Sequence, residues 1–343
     1  MDSRQILSQA EALLQRGDDI AAAEQYQKLV TEADLVEMAP LSHFRLGEIF
    51  NRQRNVVKAI EHHFQAFSLK PDLAAQLVPA NHRSHPYVFQ MPEETYVSDC
   101  PLCGRRGRLH SAFNAVTNVD FIPGFNPIRI WMECEHCHHL FAHNYPARIG
   151  DILAKTAHNL NPNVARLPTL GMIMSRILSH APGYRLLEVG VGAGEMTAVA
   201  KEYLFEVTGV DIRPMQAEVV SRMLDVPVHA VDFLKLETDQ EFDVICMGDV
   251  IEHLPAPSAV LEKARAMLVD RGVLWLSTPN FESGFTMILK DRDPMWRVVE
   301  HLNYFSFRSL HELLERSGFR VMEYHVSAQY NGSMEILAIK EGP

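Results

Sequence analysis

No apolar run in this 343-residue chain is long enough to span a bilayer. Its opening stretch, MDSRQILSQAEALLQRGDD, also lacks the apolar core of a secretory signal. The expectation is therefore a cytoplasmic protein with no membrane partner. Positive charge is short as well: 32 Lys and Arg stand against 43 Asp and Glu, a formal net charge of −11. Without a global basic field, nucleic acid and anionic lipid are not expected partners. Cysteine is scarce, with five in all. In a reducing compartment that number points to metal ligation or isolated core thiols ahead of disulfides. What remains, 47% hydrophobic and 22% charged residues, is the composition of a soluble globular protein. The length suits two or three domains.

Residues 1–75 read as helices, because Ala and Leu recur at helical spacing in ILSQAEALLQRGDDIAAAEQYQKLV and in HFRLGEIFNRQRNVVKAIEHHFQAFSLKPD. Gly17-Asp18 and Arg54-Asn55 mark turns between helices, followed by Ala22/Tyr26 and Ala59/His63. The second unit resembles a tetratricopeptide repeat, with Leu46-Gly47, Phe50, Ala59, Ala66 and Pro71 at that repeat's packing positions. Two copies do not bury a continuous face alone, so they imply docking on the rest of the chain or on a protein partner. A plain four-helix cap is the alternative. Residues 76–98 are rich in prolines and polar groups and read as a linker or an arm wrapped on a neighbour, with His82 and His85 as surface residues.

Residues 99–150 carry two C-x-x-C knuckles, Cys100/Cys103 and Cys134/Cys137. The spacing turns both sulfurs of each pair inward and matches a closed, structural tetrahedral zinc site. Gly104 supplies a left-handed turn after the first knuckle, and His138 stands in the same place after the second. With the strand-like IRIWMEC between them, the segment reads as a small zinc ribbon too short to hold a core without its metal. Redox use of a C-x-x-C competes, but the βαβ context it would need is missing.

Residues 160–343 alternate strands and helices, which implies a parallel sheet covered on both faces and a ligand beyond the strands' carboxyl ends. YRLLEVGVGAGEM gives strand, glycine-rich turn (Gly190, Gly192, Gly194) and helix; EVTGVDI, VPVHAVDF, EFDVICMGDV and RGVLWLSTPN are further strands. A dinucleotide site would want its last glycine one residue later. Instead Glu188 ends the first strand, Asp211 the second, and Asp232-Phe233 the third. From about Arg166 to Lys340 the chain resembles a class I S-adenosylmethionine-dependent methyltransferase. The resemblance implies an α/β fold: a Rossmann-like, seven-stranded class I methyltransferase domain whose last strand, MEILAIK, runs antiparallel. Here it is preceded by the α-helical repeat region and the zinc ribbon.

The resemblance also implies roles. Glu188 with Gly190, Val191, Gly192 and Gly194 would hold the methionine part of S-adenosylmethionine. Asp211 with Ile212 would hold the ribose, Asp232 and Phe233 the adenine, and Met247 and Asp249 the wall after strand four. Cys246 is expected to be a core thiol. A cofactor-free domain of the same shape, serving as a repeat-mediated interaction protein, is the reading from another class.

Glu-His-Leu occurs twice, at Glu252-His253 after strand four and at Glu300-His301 after strand five. EHLNYFSFRSL is similar to a segment of sugar C-methyltransferases, which also carry a four-cysteine domain ahead of the catalytic one. That similarity implies His301 as general base oriented by Glu300, and a nucleotide-linked sugar, glycan or other small molecule as acceptor. Val298 departs from the family, which has Tyr there. A second resemblance, to the metal quartet of small-RNA 2′-O-methyltransferases, implies Mg²⁺ or Mn²⁺ on Asp249, Glu252, His253 and His301, although that family has Glu where Asp249 stands. A third possibility is that both pairs only satisfy backbone groups at helix starts.

Overall fold

The computed structural model describes residues 3–31, 37–156 and 160–342. The outermost residues of the helical and catalytic segments, the 32–36 connection and the start of the polar stretch at 159 lie outside them. In chain order, the helical region holds α1 (Ser3–Gln15), α2 (Asp19–Thr31), α3 (Ala39–Arg52), α4 (Val56–Leu69) and the single turn α5 (Ala74–Leu77). Gly17 (φ +79°) and Arg54 (φ +60°) turn the chain between helices, and Asn55 caps α4 by accepting from the Lys58 N–H. Gly47 is forced by packing, since a Cβ there would lie 2.6 Å from the buried His63 ring.

The apolar stripes of the four helices do not close on themselves. Ile6, Ala10, Tyr26, Leu29, Ile49 and Ala59 share one core with Ala112, Ile128 and Ile130 of the next unit. The expected docking thus takes place within the chain.

The next unit carries β1 (Glu94–Tyr96), β2 (Arg108–Asn114), β3 (Ile128–Cys134), β4 (His139–Ala142) and β5 (Asn144–Pro146). β1 pairs antiparallel with β5, so the expected linker adds a strand to its neighbour. β2, β3 and β4 form an antiparallel sheet. The remaining elements are α6 (Ile149–Lys155), α7 (Leu167–His180), β6 (Arg185–Val189), α8 (Glu195–Glu202), β7 (Glu206–Asp211), α9 (Pro214–Leu224), β8 (Val228–Ala230) and β9 (Phe242–Gly248), then α10 (Pro257–Met267), β10 (Leu268–Pro279), α11 (Gly284–Leu289), β11 (Asn303–Tyr304), α12 (Phe307–Arg316), β12 (Phe319–Val326) and β13 (Ser333–Lys340).

Seven strands form the large sheet in the order β12-β13-β10-β9-β6-β7-β8. Five are parallel; β13 runs antiparallel to both β10 and β12. β6 and β9 are almost wholly buried because apolar cores cover both faces of the sheet. The chain winds away from β6 in opposite directions, through β7 on one side and β9 on the other. That opens a crevice at the strands' carboxyl ends.

β11 leaves this domain and pairs with β4 as the fourth strand of the ribbon sheet. Phe141 of that sheet and Phe305 beside β11, both fully buried, belong to one core with Ile251 and Leu310. Each such aromatic contributes about 1.5–3 kcal/mol by burial, so the two units are packed as one. Among the described residues, no helix is long and apolar enough to cross a membrane.

Candidate active site

A cavity of about 690 Å³ lies at the carboxyl ends of β6, β7 and β9, within the size range of small-molecule sites. Its floor is the turn after β6. Gly190 (φ +78°), Gly192 (φ +52°) and Gly194 (φ +92°) all adopt left-handed backbone, the region where a Cβ is strained. Their surroundings differ. A Cβ on Gly190 would lie 2.7 Å from Val250, and one on Gly194 would crowd Val220, Met223 and Leu224 at 3.2 Å. One on Gly192 would meet nothing within 4 Å, which leaves a bare backbone cradle on the cavity wall. Gly190 N–H donates to the Val210 carbonyl (2.7 Å) and ties the turn to β7.

Glu188 lines this cradle while only 6% exposed. Its carboxylate accepts from the Thr197 hydroxyl, and burial pushes its pKa up to about 8. A buried carboxyl in that state suits a cationic ligand group, whose charge would restore the ionised form. Asp211, also buried, accepts from the Arg213 N–H at 2.8 Å. Asp232 accepts from the Leu234 N–H (2.9 Å) and starts the short turn that presents Phe233. Open cradle, acid for an ammonium, acid for a diol, and acid plus ring for a purine fit the groups of S-adenosylmethionine.

Of the expected donor-binding residues, Glu188, Gly190, Val191, Gly192, Asp211, Ile212, Asp232, Phe233 and Asp249 line the cavity. Two do not. Gly194 caps α8 and packs on α9, and Met247 is fully buried in β9. Cys246 is fully buried in β9, and it also reaches the cavity lining.

The two Glu-His pairs meet, in a different arrangement from the expected one. Glu252, His253 and His301 each place a potential ligand atom within 4.8 Å of the others. Asp249 stands outside this trio: it has left-handed backbone (φ +53°), and its carboxylate accepts from the Ser277 hydroxyl at 2.9 Å. His253, not His301, lines the cavity. The His253 and His301 rings stand edge to face at 4.8 Å.

The expected Glu300–His301 dyad is corrected. Among the described residues no hydrogen bond joins the Glu300 carboxylate to His301; that carboxylate lies 3.9 Å from the Arg213 guanidinium. The Glu300 backbone carbonyl instead faces His253 Nδ1 at 3.1 Å. A carbonyl can only accept, so Nδ1 carries a proton, which in a neutral ring leaves the lone pair on Nε2. Glu252 is 1% exposed; one oxygen accepts from the Thr278 hydroxyl (3.0 Å) and the other has no hydrogen-bond partner. Burial, reinforced by Asp249, pushes the Glu252 carboxyl well up. Burial, reinforced by His253 and Arg129, pushes His301 well down.

The four predicted cysteines converge. Sγ–Sγ separations are 3.6 Å for Cys100–Cys137, 3.5 Å for Cys103–Cys134 and 3.7 Å for Cys103–Cys137. Zn–S bonds of ordinary length in a tetrahedron give about 3.8 Å, so the thiol set fits the ion. Gly104 (φ +72°) and His138 (φ +50°) take the left-handed positions after the two knuckles.

Sequence reasoning missed five polar residues of the cavity lining: Asn163, Arg166, Arg213, Gln329 and Tyr330. The Arg166 guanidinium lies over the Tyr330 ring at 5.0 Å and donates to Gln329. These residues come from the approach to α7, the β7–α9 turn and the β12–β13 hairpin. Only their clustering in space marks them.

A family model described as a methyltransferase domain matches residues 141–324, more than half of the chain. A ubiquinone biosynthesis O-methyltransferase of Xanthomonas campestris pv. campestris is 30% identical over 133 residues, 37% of this chain and 53% of the relative. Its Xanthomonas oryzae pv. oryzae counterpart is 29% identical over the same share. The chain spans about half the length of the curated relatives it matches. Among solved structures, magnesium protoporphyrin IX methyltransferase from Synechocystis PCC 6803 with bound SAH superposes at TM-score 0.44 and 16% identity, covering 53% of this chain and 89% of that one. The Burkholderia thailandensis 1,6-didemethyltoxoflavin-N1-methyltransferase does so at 0.42 and 20%, covering 52% and 79%.

Proposed function

The chain belongs to the methyltransferase domain family, and we propose that it transfers a methyl group from S-adenosylmethionine to a small-molecule acceptor. The observation that carries this reading is the cradle itself: an unobstructed Gly192 flanked by buried Glu188 and Asp211 on one cavity wall. In it, Glu188 and the glycine turn hold the amino-acid end of the donor, Asp211 the ribose, and Asp232 with Phe233 the adenine. The donor supplies an electrophilic sulfonium methyl. The chain's own work is to hold the acceptor in line and to take its proton when the nucleophile carries one.

His253 is the proposed base. Its Nδ1 proton is held by the Glu300 carbonyl, its Nε2 lone pair is left to accept, and it borders the cavity. His301, the base that the sequence resemblance implied, then stands behind it as a packing and electrostatic neighbour. The polar lining residues Arg166, Gln329 and Tyr330 suit a hydroxyl-rich or phenolic acceptor, such as the nucleotide-linked sugar or glycan implied by the ribbon-plus-catalytic layout. The four cysteines are proposed to hold one structural Zn²⁺.

The test is calorimetry with S-adenosylhomocysteine, followed by transfer of radiolabelled methyl from S-adenosylmethionine to a panel of nucleotide sugars and phenols. Binding that Asp211→Ala weakens by about 100-fold or more supports the reading. No binding by the intact chain sinks it and favours the interaction-protein alternative.

A second reading rests on the unpartnered buried Glu252 oxygen between two histidines. Glu252, His253 and His301 would hold a Mg²⁺-class ion that polarises an acceptor hydroxyl. Titration with Mn²⁺ followed by electron paramagnetic resonance decides it. Tight binding lost in Glu252→Gln supports the ion; equal weak binding by both proteins removes it.

A further inference from the structure

The segment that carries the histidine cluster is also tied to the ribbon sheet. β4 begins two residues after Cys137 and pairs on one side with β3, on the other with β11. The Ala142 N–H donates to the Leu302 carbonyl (2.8 Å), and the Leu302 N–H donates to the Glu252 carbonyl (2.7 Å). Asn303, 2% exposed, is the joint of this ladder. Its Nδ2 donates to the Leu254 carbonyl at 2.8 Å, which turns Oδ1 toward His139 Nε2 at 3.0 Å. An amide oxygen only accepts, so Nε2 of His139 must carry the proton. The His139 ring is fully buried between Phe141 and Phe305. One side chain thus ties the residue after His253 to the start of β11, two residues beyond His301.

We propose that His139 and Asn303 are positioning residues that lock the Glu252–His253–His301 cluster to the ribbon sheet. Through them the ribbon sets the geometry of the acceptor end without touching the donor cradle. The contacts run from β4 to the 251–254 turn and the 300–303 segment, and none of them includes Glu188, the glycine turn or Asp211. The cluster's role as base rests on the function proposed above, so the test reads geometry and donor binding separately.

The full-length chain, labelled with ¹⁵N-histidine and without added divalent ions, is examined by long-range ¹⁵N–¹H correlation spectroscopy. The His253 signal is assigned by its loss in His253→Asn. The expected result is an Nδ1–H tautomer for His253 in the intact chain. It should give way to a tautomer mixture in Asn303→Ala and in His139→Phe, which keeps the ring stacking but removes the donor. His139→Gln, which restores an N–H donor, should recover the single tautomer. S-adenosylhomocysteine affinity should stay within about two-fold in every variant, as expected for uncoupled sites, and hydrogen exchange of the ribbon strands certifies folding. An unchanged His253 tautomer in His139→Phe overturns the proposal, as does a mixture that His139→Gln fails to repair. Should Asn303→Ala fail to fold, the two His139 variants alone decide. Absence of homocysteine-product binding in the intact chain would count against the methyltransferase reading and leave the tautomer test standing.

Discussion

The two ends of the cavity are built in opposite ways. The proposed donor end comes from the ends of three neighbouring strands: Glu188 on β6, Asp211 on β7 and Asp232 after β8, each held by a bond to a residue no more than nine positions away. The acceptor end is assembled from the approach to α7, the turn after β9, the 300–303 segment and the β12–β13 hairpin, joined by bonds such as His139–Asn303 that span 164 positions. The first construction depends on local backbone geometry, above all left-handed glycines. The second depends on a separate sheet arriving to brace it. Damage to the ribbon should therefore cripple one end and spare the other.

The largest effect is expected from the metal site. Elemental analysis should find one zinc per chain, and Cys134→Ser should abolish it. Folding free energy held in such sites is on the order of 10 kcal/mol, so the ribbon should lose its protection in hydrogen exchange. S-adenosylhomocysteine affinity should fall by less than about tenfold, because no donor-binding residue lies on the ribbon strands. Equal loss at both ends would break the comparison and make the chain one cooperative unit.

Next in size is the division between the histidines. His253→Ala should slow methyl transfer in a single turnover by about 10²–10⁴-fold, the usual worth of a positioned base. His301→Ala should cost about tenfold or less, through the neighbouring ring. The reverse order would restore His301 to the chemistry and move the acceptor to its side.

How much of this was legible beforehand follows the same divide. Asp211 could be read at a strand end because a parallel sheet places its strands' last residues at the ligand crevice; Asp232, expected to end the third strand, lies two residues beyond β8 and caps the turn of Phe233. The C-x-x-C spacing likewise fixes two sulfurs per turn, and the four cysteines do meet. By contrast, the similarity to sugar C-methyltransferases implies that Glu300 orients His301. Backbone direction decided otherwise: at the entry to β11 successive side chains diverge, so Glu300 reaches toward Arg213 while its carbonyl serves His253. Gly194 was grouped with the cradle by its spacing, but its contacts are with α9, and Met247 faces the core. Arg166 and Tyr330 carry no motif, since their meeting depends on how the hairpin after β12 folds over the sheet.

The donor cradle itself offers a finer test. Gly192→Ala places a methyl in open space with φ at +52°, a strain of about 1–2 kcal/mol. The added methyl faces the ligand, so donor affinity should fall by about tenfold while the melting temperature drops only a few degrees. Gly194→Ala should do the opposite, because its Cβ would press on Val220, Met223 and Leu224 at 3.2 Å. If both variants lost donor affinity equally, the separation between cradle and helix cap would be wrong.

A pH dependence of donor binding is expected from Glu188. Burial raises its folded pKa to about 8, above the ordinary value of 4.5. The folded chain therefore holds this proton more tightly than the unfolded chain. Its stabilising contribution is complete below about pH 4.5 and is lost as pH rises through about 8. The ligand-free chain should thus melt at progressively lower temperature between pH 6 and 8. Donor binding should run the other way. An ammonium group prefers the ionised carboxylate, so S-adenosylhomocysteine affinity should strengthen across pH 6 to 7.5 by at most about tenfold per unit, with a proton released into the buffer. Glu188→Gln should flatten the affinity curve and lessen the fall in melting temperature, to which the raised carboxyl of Glu252 also contributes. A variant that lowered affinity but kept the slope would move the titrating group elsewhere on the cavity wall, and the amino-acid end of the donor with it.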